Sequence, residues 1–559
     1  MSVRNENSLS NSLSRAMESW AAVVGSENVI SDVRTLEAAG QTTFESNVSI
    51  PAIVMPASTR EVEKCVEIAN EFVVPIYPIS RGRNWGFGSK VPCQSDSVLL
   101  DLRRMNRIIE YNDELGYVTL EPGVTFEQVY QYQQSHNTKH FLSVIGGPGD
   151  ASVIGNYLER GTGLGMMGER PLNACDAQIV LGRGDVVRTG YGSVENSRLA
   201  PLHRWGVGAS IDGLFCQSNF GVATRLTVWL NKRPNYFESV VATFKSDEQF
   251  FRALEQCREL LKQGVLHPYN SFFWNHVKIA AAFAQHPHPG ENKPVNWESL
   301  IAKHSGRFKK ARWVLAAGLN ASSKQIARAK RKTIQNELKP TCNSLRFIGG
   351  TTAGLARLVN TTLNSIGLGK YCVDMQPIDA LYSKSPMLGH PSTTAVSSVY
   401  WRKKFKTPDT IAPDRDRCGV QWVCHEVPFR SEDIAKAINV VEQECEKFGF
   451  EPNIAMPIVS NRYIRFLFAL MYDLEREGED DKARDCVAQS INRLNEFGYT
   501  SFRHGIQTMQ HLPDRNSGNL KLLQDLKQLF DPNGIVAPGR YEKRQLSQCQ
   551  STSKGTGGE

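Results

Sequence analysis

Four glycine-rich segments contain the residue types in this sequence that best suit ligand chemistry. The first, PISRGRNWGFGS at 78–89, follows a predicted strand and carries Gly82, Gly86 and Gly88. Glycine lets the backbone approach an anion closely and present its N–H groups to it. The spacing is not GxGxxG and no helical pattern follows, which excludes the fingerprint of nicotinamide-dinucleotide enzymes. A glycine-rich turn without a ligand is the alternative interpretation.

The second segment, residues 145–168, has eight glycines in 24 residues. A stretch so poor in side chains cannot build its own core, but it can wrap a flat, phosphate-bearing ligand. A plain loop of this length is uncommon in a compact domain. The third and fourth segments are IDGLFCQSNFGVAT at 211–224 and APGR at 537–540. Each of these two, taken singly, is also typical of an ordinary turn.

Composition places these segments in an ordinary globular enzyme of several domains. The chain has 559 residues, with 41% hydrophobic and 22% charged residues. The net charge of +8 is small for this length, and the basic run KQIARAKRK at 324–332 has the spacing of one solvated helix face, so no nucleic-acid partner is expected. The polar N-terminus is not a signal peptide, and no apolar run is long enough to span a membrane.

The cysteines indicate a reducing compartment. The twelve cysteines include no CxxC pair and no His/Cys metal-ligand spacing. In a chain of this length that pattern predicts free thiols, a cytoplasmic location and no metal site.

Short strands and helices must position the glycine-rich segments. Ser58 and Glu61 predict a capping box before a helix whose buried face is Val62, Cys65, Val66 and Ala69. The strand-then-helix pattern of 239–262 returns at 419–448, which predicts two similar halves in a second domain. The alternation of short elements indicates an α/β or α+β fold. We predict strands at 73–79, 98–102, 117–120, 223–230 and 239–244, a hairpin at 177–189, and helices at 126–134, 247–262 and 431–448.

Taken together, the four segments resemble the vanillyl-alcohol oxidase/p-cresol methylhydroxylase (PCMH-type) family of flavoproteins. The matching stretches, in order, are PISRGRNWGFG, DASVIGNYLERG, IDGLFCQSNFGVATRLTVWL and DPNGIVAPGR. YWRKK at 400–404 and CGVQW at 418–422 are similar to the second domain of that family. The resemblance covers about residues 45 to 541, and the order and number of its motifs make it specific.

The resemblance implies an α+β fold with a two-part FAD-binding domain, formed by the N- and C-terminal segments, and an inserted α+β cap that chooses the substrate. On this basis residues 1–235 form the FAD-binding domain (core about 45–232), and 236–497 form the cap. Residues 498–545 return to the FAD-binding domain, and 546–559 form a disordered tail.

The same resemblance implies which residues contact FAD. Arg81 to Asn84 would hold the pyrophosphate, and Arg540 would close over the cofactor. Gly221 and Val222 would offer backbone groups on the adenine side. The full set of cofactor candidates is Ser80, Arg81, Gly82, Arg83, Asn84, Gly146, Gly147, Ser152, Gly155, Asn156, Gly161, Gly221, Val222 and Arg540.

The sequence departs from the family at both known places of covalent flavin attachment. Asn84 stands at or beside the first, and Val420 stands at the second. Neither is expected to bond the flavin, and His425, five residues on, is expected to point elsewhere. We therefore expect non-covalent FAD.

The sequence also departs from the family at its phenolate-binding residues. Phe87 and Phe502 stand where phenol-oxidising members have tyrosines, whereas the family arginine is kept as Arg503. The acidic residue that faces flavin N5 in the family falls near Gly147, and Asp150 is an uncertain substitute. The catalytic candidates are thus Arg503, Phe87, Phe502 and Asp150, with a salt-bridged surface arginine as the alternative for Arg503.

These departures indicate a changed substrate. The leading hypothesis is an FAD-dependent oxidase or dehydrogenase that takes hydride from a small non-phenolic molecule, for example in secondary metabolism, onto flavin N5. Either O₂ or a protein would accept the electrons, and a homodimer is possible. One alternative is a D-lactate-type 2-hydroxy-acid dehydrogenase, and another is a flavin-fold scaffold that has lost catalysis.

Overall fold

The computed structural model describes residues 2–283, 286–289, 295, 311–365, 372 and 375–542. The predicted tail at 546–559 lies outside these residues. The helices are α1 (Ser2–Val24), α2 (Val33–Ala39), α3 (Thr59–Phe72), α4 (Phe126–Ser135), α5 (Val153–Leu158), α6 (Asp247–Lys262), α7 (His276–Phe283), α8 (Lys324–Leu338), α9 (Gly350–Ser365), α10 (Gln376–Leu381), α11 (Thr394–Ser397), α12 (Ser431–Phe448), α13 (Glu479–Glu496) and α14 (Ser517–Phe530).

The strands fall into three large sheets and one short pair. They are β1 (Val29–Ile30), β2 (Ile53–Val54), β3 (Ile76–Ile79), β4 (Val98–Asp101), β5 (Ile108–Asn112), β6 (Tyr117–Leu120), β7 (His140–Phe141), β8 (Ala174–Leu181), β9 (Val186–Arg188), β10 (Gly221–Trp229), β11 (Asn231–Lys232), β12 (Tyr236–Phe244), β13 (Ser271–Asn275), β14 (Trp313–Ala321), β15 (Ser344–Gly349), β16 (Cys418–Pro428), β17 (Asn453–Pro457), β18 (Tyr463–Asp473) and β19 (Thr500–Arg503).

The first part of the chain builds two sheets. One has the order β1-β2-β4-β3, in which β2, β4 and β3 run parallel. The other has the order β5-β6-β10-β8-β9 and is antiparallel. Its β8–β9 hairpin confirms the predicted one. Helices α1 and α3 cover the first sheet, with Trp20 Nε1 donating to Cys65 O at 3.0 Å.

The start of α3 differs in one detail from the predicted capping box. Ser58 Oγ accepts from Glu61 N at 3.2 Å, as expected. The Glu61 carboxylate reaches one residue further back and accepts from Ala57 N at 2.8 Å. The predicted buried face of the helix is confirmed, since Val62, Cys65, Val66 and Ala69 are all buried. Among the described residues, no helix combines the length and apolar character needed to cross a bilayer.

Both ends of the chain meet in the FAD-binding domain. Ile76 N donates to Ile535 O, and Ala537 N donates to Ile76 O, each at 2.8 Å. Val536 thereby runs parallel to strand β3. The C-terminal segment thus joins the sheet built by the first part of the chain, as expected for the two-part domain that the resemblance implies.

The cap is built around an eight-stranded antiparallel sheet of order β15-β12-β14-β13-β17-β18-β16-β19. The second half of this sheet has the chain order β-α-β-β-α-β, the first half has the same order with α7 inserted between β13 and β14, and the two halves join where β13 pairs with β17. This topology confirms the two similar halves expected from the sequence. Helices α6, α8, α12 and α13 bury one face of the sheet in a single core, which leaves the opposite face free to roof a cavity.

Candidate active site

A cavity of about 520 Å³ lies between the FAD-binding domain and the uncovered face of the cap sheet. Successive side chains of a β-strand point to opposite faces of the sheet, so every second residue of β16 faces the cavity. These residues are Val420, Trp422 and Cys424. Most of the site residues expected from the sequence are also in the wall: Ser80, Arg81, Gly82, Arg83, Asn84, Phe87, Gly146, Gly147, Ser152, Gly155, Asn156, Gly221, Val222, Phe502, Arg503 and Arg540.

The loop after β3 presents free backbone donors to this cavity. Among the described residues, none accepts a hydrogen bond from the backbone N–H groups of Arg81 to Asn84. Gly82 and Gly86 have φ of +65° and +81°, which glycine adopts without strain. A Cβ on Gly86 would lie 2.2 Å from Trp422 of the cap, so this glycine also lets the two domains approach. Such a loop suits a phosphate group.

A second glycine-lined surface lies beside it, at the start of α5. Ser152 Oγ accepts from Gly155 N at 3.0 Å and donates to Pro122 O at 2.7 Å, which fixes the first turn. A Cβ built on Gly155 would lie 3.4 Å from Ser152 Oγ and 3.6 Å from Ser80 Oγ. The glycine therefore keeps a flat gap between two serines, where a larger side chain would fill the cavity.

A charged cluster closes the same side of the cavity. Glu159 accepts from Arg540 Nη2 at 2.6 Å and from Tyr541 Oη at 2.9 Å, and its carboxylate is 3.9 Å from Arg503 Nε. Burial raises the pKa of the Glu159 carboxyl, but Arg540 and Arg503 more than offset this, and the pKa is lowered. Arg540 Nη1 and Arg503 Nε are buried without a hydrogen-bond partner among the described residues. These donors fit an anionic or carbonyl-rich ligand.

Two expected site residues are not in the cavity wall. Asp150, the candidate acid, faces Arg83, whose Nη2 and Nε lie 2.7 and 2.8 Å from its Oδ2. The Asp150 carboxylate therefore forms an ion pair with the loop at 81–84 and does not face the cavity. Gly161 packs against Asn156, where a Cβ would come within 2.0 Å of Nδ2. It makes room for Asn156, which is in the wall.

An aromatic wall forms part of the cavity. Phe87 and Phe502 form a cluster with Cys424, and Phe87 stacks with Trp422 at a centroid distance of 6.4 Å. Arg503 Cζ lies 4.1 Å from the centroid of Phe87, and Arg503 Nη2 donates to Asn84 Oδ1 at 2.7 Å. Neither Phe87 nor Phe502 brings a hydroxyl to the cavity.

Both positions of covalent flavin attachment in the family, Asn84 and Val420, are in the cavity wall without a nucleophilic atom. His425 points to the other side of β16, where its ring nitrogen is 3.1 Å from Ser501 Oγ. Burial lowers the pKa of His425 to about 3. Burial also raises the pKa of the Cys424 thiol to about 12, which keeps it protonated at neutral pH.

The sequence did not point to Lys278, Trp422 or Glu159, although all three line the cavity. Lys278 is the only charged residue in the helical stretch HVKIAAAF. A lone lysine among apolar helix residues is unusual, and that signal could have marked it for attention.

Comparison with known proteins gives consistent matches. Residues 50–190 match the family described as FAD binding domain. The chain is 37% identical over 533 residues to 1'-carboxy-chondrochloren decarboxylase of Chondromyces crocatus, covering 95% of this chain and 98% of the relative. It is 27% identical over 534 residues to the flavoprotein subunit of 4-cresol dehydrogenase (hydroxylating) of Pseudomonas putida, covering 94% and 95%. The crystal structure of p-cresol methylhydroxylase with substrate bound shares the fold, with a TM-score of 0.82, 24% identity and coverage of 95% and 97%.

The cofactor is FAD, on the strength of these matches. The cavity fits it, since the free N–H groups of the loop at 81–84 suit a pyrophosphate and the unpaired guanidinium donors suit flavin carbonyl oxygens.

Proposed function

Because the chain belongs to the PCMH-type family of FAD-binding oxidoreductases, we propose that it oxidises a non-phenolic carboxylic acid with an apolar body and releases CO₂ in the same turnover. One observation carries the non-phenolic part: Phe87 and Phe502 bring no hydroxyl to the place where a phenolate would be held. The near-full-length relative named as a decarboxylase supports a carboxylate substrate.

The reaction mechanism explains why a substrate without a phenol would carry a carboxylate. A phenolate pushes electrons toward the carbon that loses hydride, so a substrate without a phenolate needs another electron source. A carboxylate on the neighbouring carbon is such a source. Bound FAD supplies the hydride acceptor: the hydride leaves the carbon β to the carboxylate with its electron pair, the C–CO₂ pair becomes the new C=C bond, and CO₂ departs. This balance requires no protein base.

The residues of the chain position and shield this reaction. The loop at 81–84 and the gap at Gly155 would hold FAD without a covalent bond, with Arg540 closing over it. Arg503, fixed by Asn84 and Phe87, would face the flavin rather than a substrate oxyanion. The apolar wall of Phe87, Phe502 and Trp422 would exclude water, which favours release of the carboxylate as neutral CO₂.

Two alternatives have less support. A D-lactate-type enzyme needs a base near the hydroxyl-bearing carbon, and the described cavity wall contains no histidine. A scaffold without catalysis would not need to keep this cavity lined by most of the residues expected to bind the cofactor.

Anaerobic flavin reduction tests the proposal. The holoenzyme is mixed with 3-phenylpropanoate and other 3-arylpropanoates carrying ¹³C in the carboxylate, and with 4-ethylphenol in a parallel sample. We expect the flavin absorbance to bleach with an acid, with one labelled CO₂ and one styrene formed per flavin reduced. Bleaching by 4-ethylphenol but by none of the acids would contradict the proposal. Reoxidation in aerated buffer then distinguishes O₂ from a protein acceptor.

A further inference from the structure

Lys278 is a buried cation in the cap half of the cavity. It belongs to α7, is 3% exposed and lines the cavity wall. Its backbone N–H donates to Asn275 Oδ1 at 3.0 Å, which fixes the first turn of the helix. Lysine is almost never this buried unless an acidic group pairs with it.

The neighbours of Lys278 provide few polar contacts to offset the cost of burying its ammonium group. Among the described residues, its Nζ has one polar neighbour, Ser398 Oγ at 3.5 Å, and no carboxylate within salt-bridge distance. The rings of Trp274 and Trp422 lie 5.7 and 5.6 Å from Nζ and offer only their π faces. Burial lowers the pKa of Lys278 to about 8. An ammonium group held this way gains most from an anion that enters the cavity.

Lys403 shows what a paired buried lysine looks like in the same domain. Its Nζ lies 2.7 Å from both Asp473 Oδ1 and Glu475 Oε2. Burial lowers the pKa of Lys403, but the two carboxylates more than offset this and raise it. The fold therefore satisfies one buried lysine completely and leaves Lys278, which faces the cavity, without an acidic partner among the described residues.

Arg503 is the other cation beside the aromatic wall, and unlike Lys278 it has an acidic neighbour. It donates to Asn84, lies 3.9 Å from the Glu159 carboxylate and lies over Phe87, while its Nε keeps no hydrogen bond. Phe87 and Trp422 stack on each other, with Arg503 against the first ring and Lys278 against the second. The aromatic wall therefore has a cation with an acidic neighbour at Phe87 and a cation without a described acidic partner at Trp422.

We propose that Lys278 is the binding site for the carboxylate of the substrate, with the apolar body lying along the Trp422–Phe87 wall. This inference rests on the proposed function. It assigns substrate specificity to a residue of α7 rather than to Arg503, and it makes Lys278 a binding group rather than a proton acceptor.

The pH dependence separates these two roles. A carboxylate needs the protonated ammonium, so its affinity must fall as pH rises through about 8, whereas a base would become active over the same range. The described elements packed against α7 are β13, β16, β17, β18, α11 and the short 3-10 helix Ser398–Tyr400, and the titratable groups that pack with α7 from them are Tyr400 and Cys418. Burial raises the pKa of Tyr400 and of Cys418, and burial lowers that of His276 on α7 itself well below its usual value. None of the three changes charge between pH 7 and 9.

The test is a titration of the holoenzyme with phenylacetate, whose carbon β to the carboxylate is a ring carbon and cannot lose hydride in the proposed reaction, and with its uncharged analogue phenylacetamide, followed by flavin difference absorbance. The wild type should bind the acid about 10- to 100-fold more tightly than the amide at pH 7, as expected for one charge-assisted contact. The advantage should shrink about tenfold between pH 7 and pH 9. Lys278→Met should remove it, and Lys278→Arg should keep part of it.

Lys330→Met is the matched control, because Lys330 is partly buried in the cap but is not in the described cavity wall. It should bind both ligands as the wild type does. Equal binding of acid and amide by the wild type, including no binding of either, would overturn the inference, as would a Lys278→Met variant that binds the acid normally. If Lys278→Met loses its flavin, the inference is tested by the acid and amide affinities of Lys278→Arg and by the pH dependence of the wild type.

The outcome for Lys278 is separable from that for the reaction. If phenylacetate binds through Lys278 but 3-phenylpropanoate leaves the flavin oxidised, the site is supported and the proposed function is refuted. If 3-phenylpropanoate bleaches the flavin equally well in wild type and Lys278→Met, the site is refuted and the proposed function is supported.

Discussion

Restoring the two missing hydroxyls should give this protein affinity for phenols. The double substitution Phe87→Tyr/Phe502→Tyr adds one O–H donor at each of two side chains that are 8% and 7% exposed and line the cavity. The guanidinium of Arg503 lies 4.1 Å from the Phe87 ring, so a positive charge is close to the added hydroxyl even though we propose that Arg503 faces the flavin.

The expected gain in affinity for a phenol can be estimated from the hydrogen bonds that the two new hydroxyls would form. A donor to a neutral phenol contributes about 0.5–1.5 kcal/mol, and a donor to a phenolate contributes about 1.5–3 kcal/mol. Two donors to a ligand that is partly ionised in the site should contribute about 3 kcal/mol, which is close to 10²-fold in Kd. Each single variant should give about tenfold.

The assay is the Kd of 4-ethylphenol for the holoenzyme, from flavin absorbance changes, at equal flavin content in all variants. Phe272→Tyr is the matched control: Phe272 also lines the cavity, but it packs with Phe237, Ala316 and Met387 rather than beside Arg503. It should give no gain. A double variant that binds 4-ethylphenol no better than the wild type would show that Phe87 and Phe502 do not surround the reacting group.

Three further predictions concern the cofactor and its surroundings. Acid precipitation should release all flavin into the supernatant, because Asn84 and Val420 offer no nucleophile; colour in the pellet would contradict this. Gly155→Val should lower flavin content strongly, whereas Gly155→Ala should keep most of it, since one Cβ fits at 3.4 Å from Ser152 Oγ and further methyl groups enter the cavity. Glu159→Gln should lower the free energy of unfolding by about 1.5–3 kcal/mol at pH 7. The pKa of Glu159 is lowered in the folded state. The difference in unfolding free energy between wild type and variant should therefore be fully present above the pKa of Glu159 in the unfolded chain, about 4.3, and should disappear as pH falls through its folded-state pKa. Thermal denaturation over a pH series measures this difference.

The sequence predicted local elements well where capping and periodicity agreed. Helices α6 and α12 have the predicted bounds, because each has a clear apolar stripe and an acidic first turn. The glycine-rich loops were also predicted, because positions with a positive φ or a close backbone approach require glycine, which is visible in the sequence. The first helix was missed, because its polar sequence is held by the burial of Ala16 and Trp20 against α3.

The contacts that define the site came from the tertiary structure. Glu159 and Arg540 are 381 residues apart in the chain, and no local pattern connects them. Lys278 gains its environment from Trp274, Ser398 and Trp422, which lie on three separate elements of the cap. A charge among apolar residues is visible in the sequence, but the absence of a carboxylate beside it is a property of the fold.

Two features of the cavity complement each other. Phe87, in the loop after β3, and Phe502, on the cap strand β19, bring no hydroxyl to the cavity, and Asp150 is paired with Arg83 outside the wall. On the cap side, a cation with no described acidic partner faces the cavity at Lys278. In the proposed reaction the substrate has no phenolate, so the electron pair must come from another group, and a carboxylate already carries one at neutral pH. The proposed cation for this carboxylate, Lys278, lies against Trp422, whereas Arg503 lies against Phe87, so the aromatic wall separates the two cations.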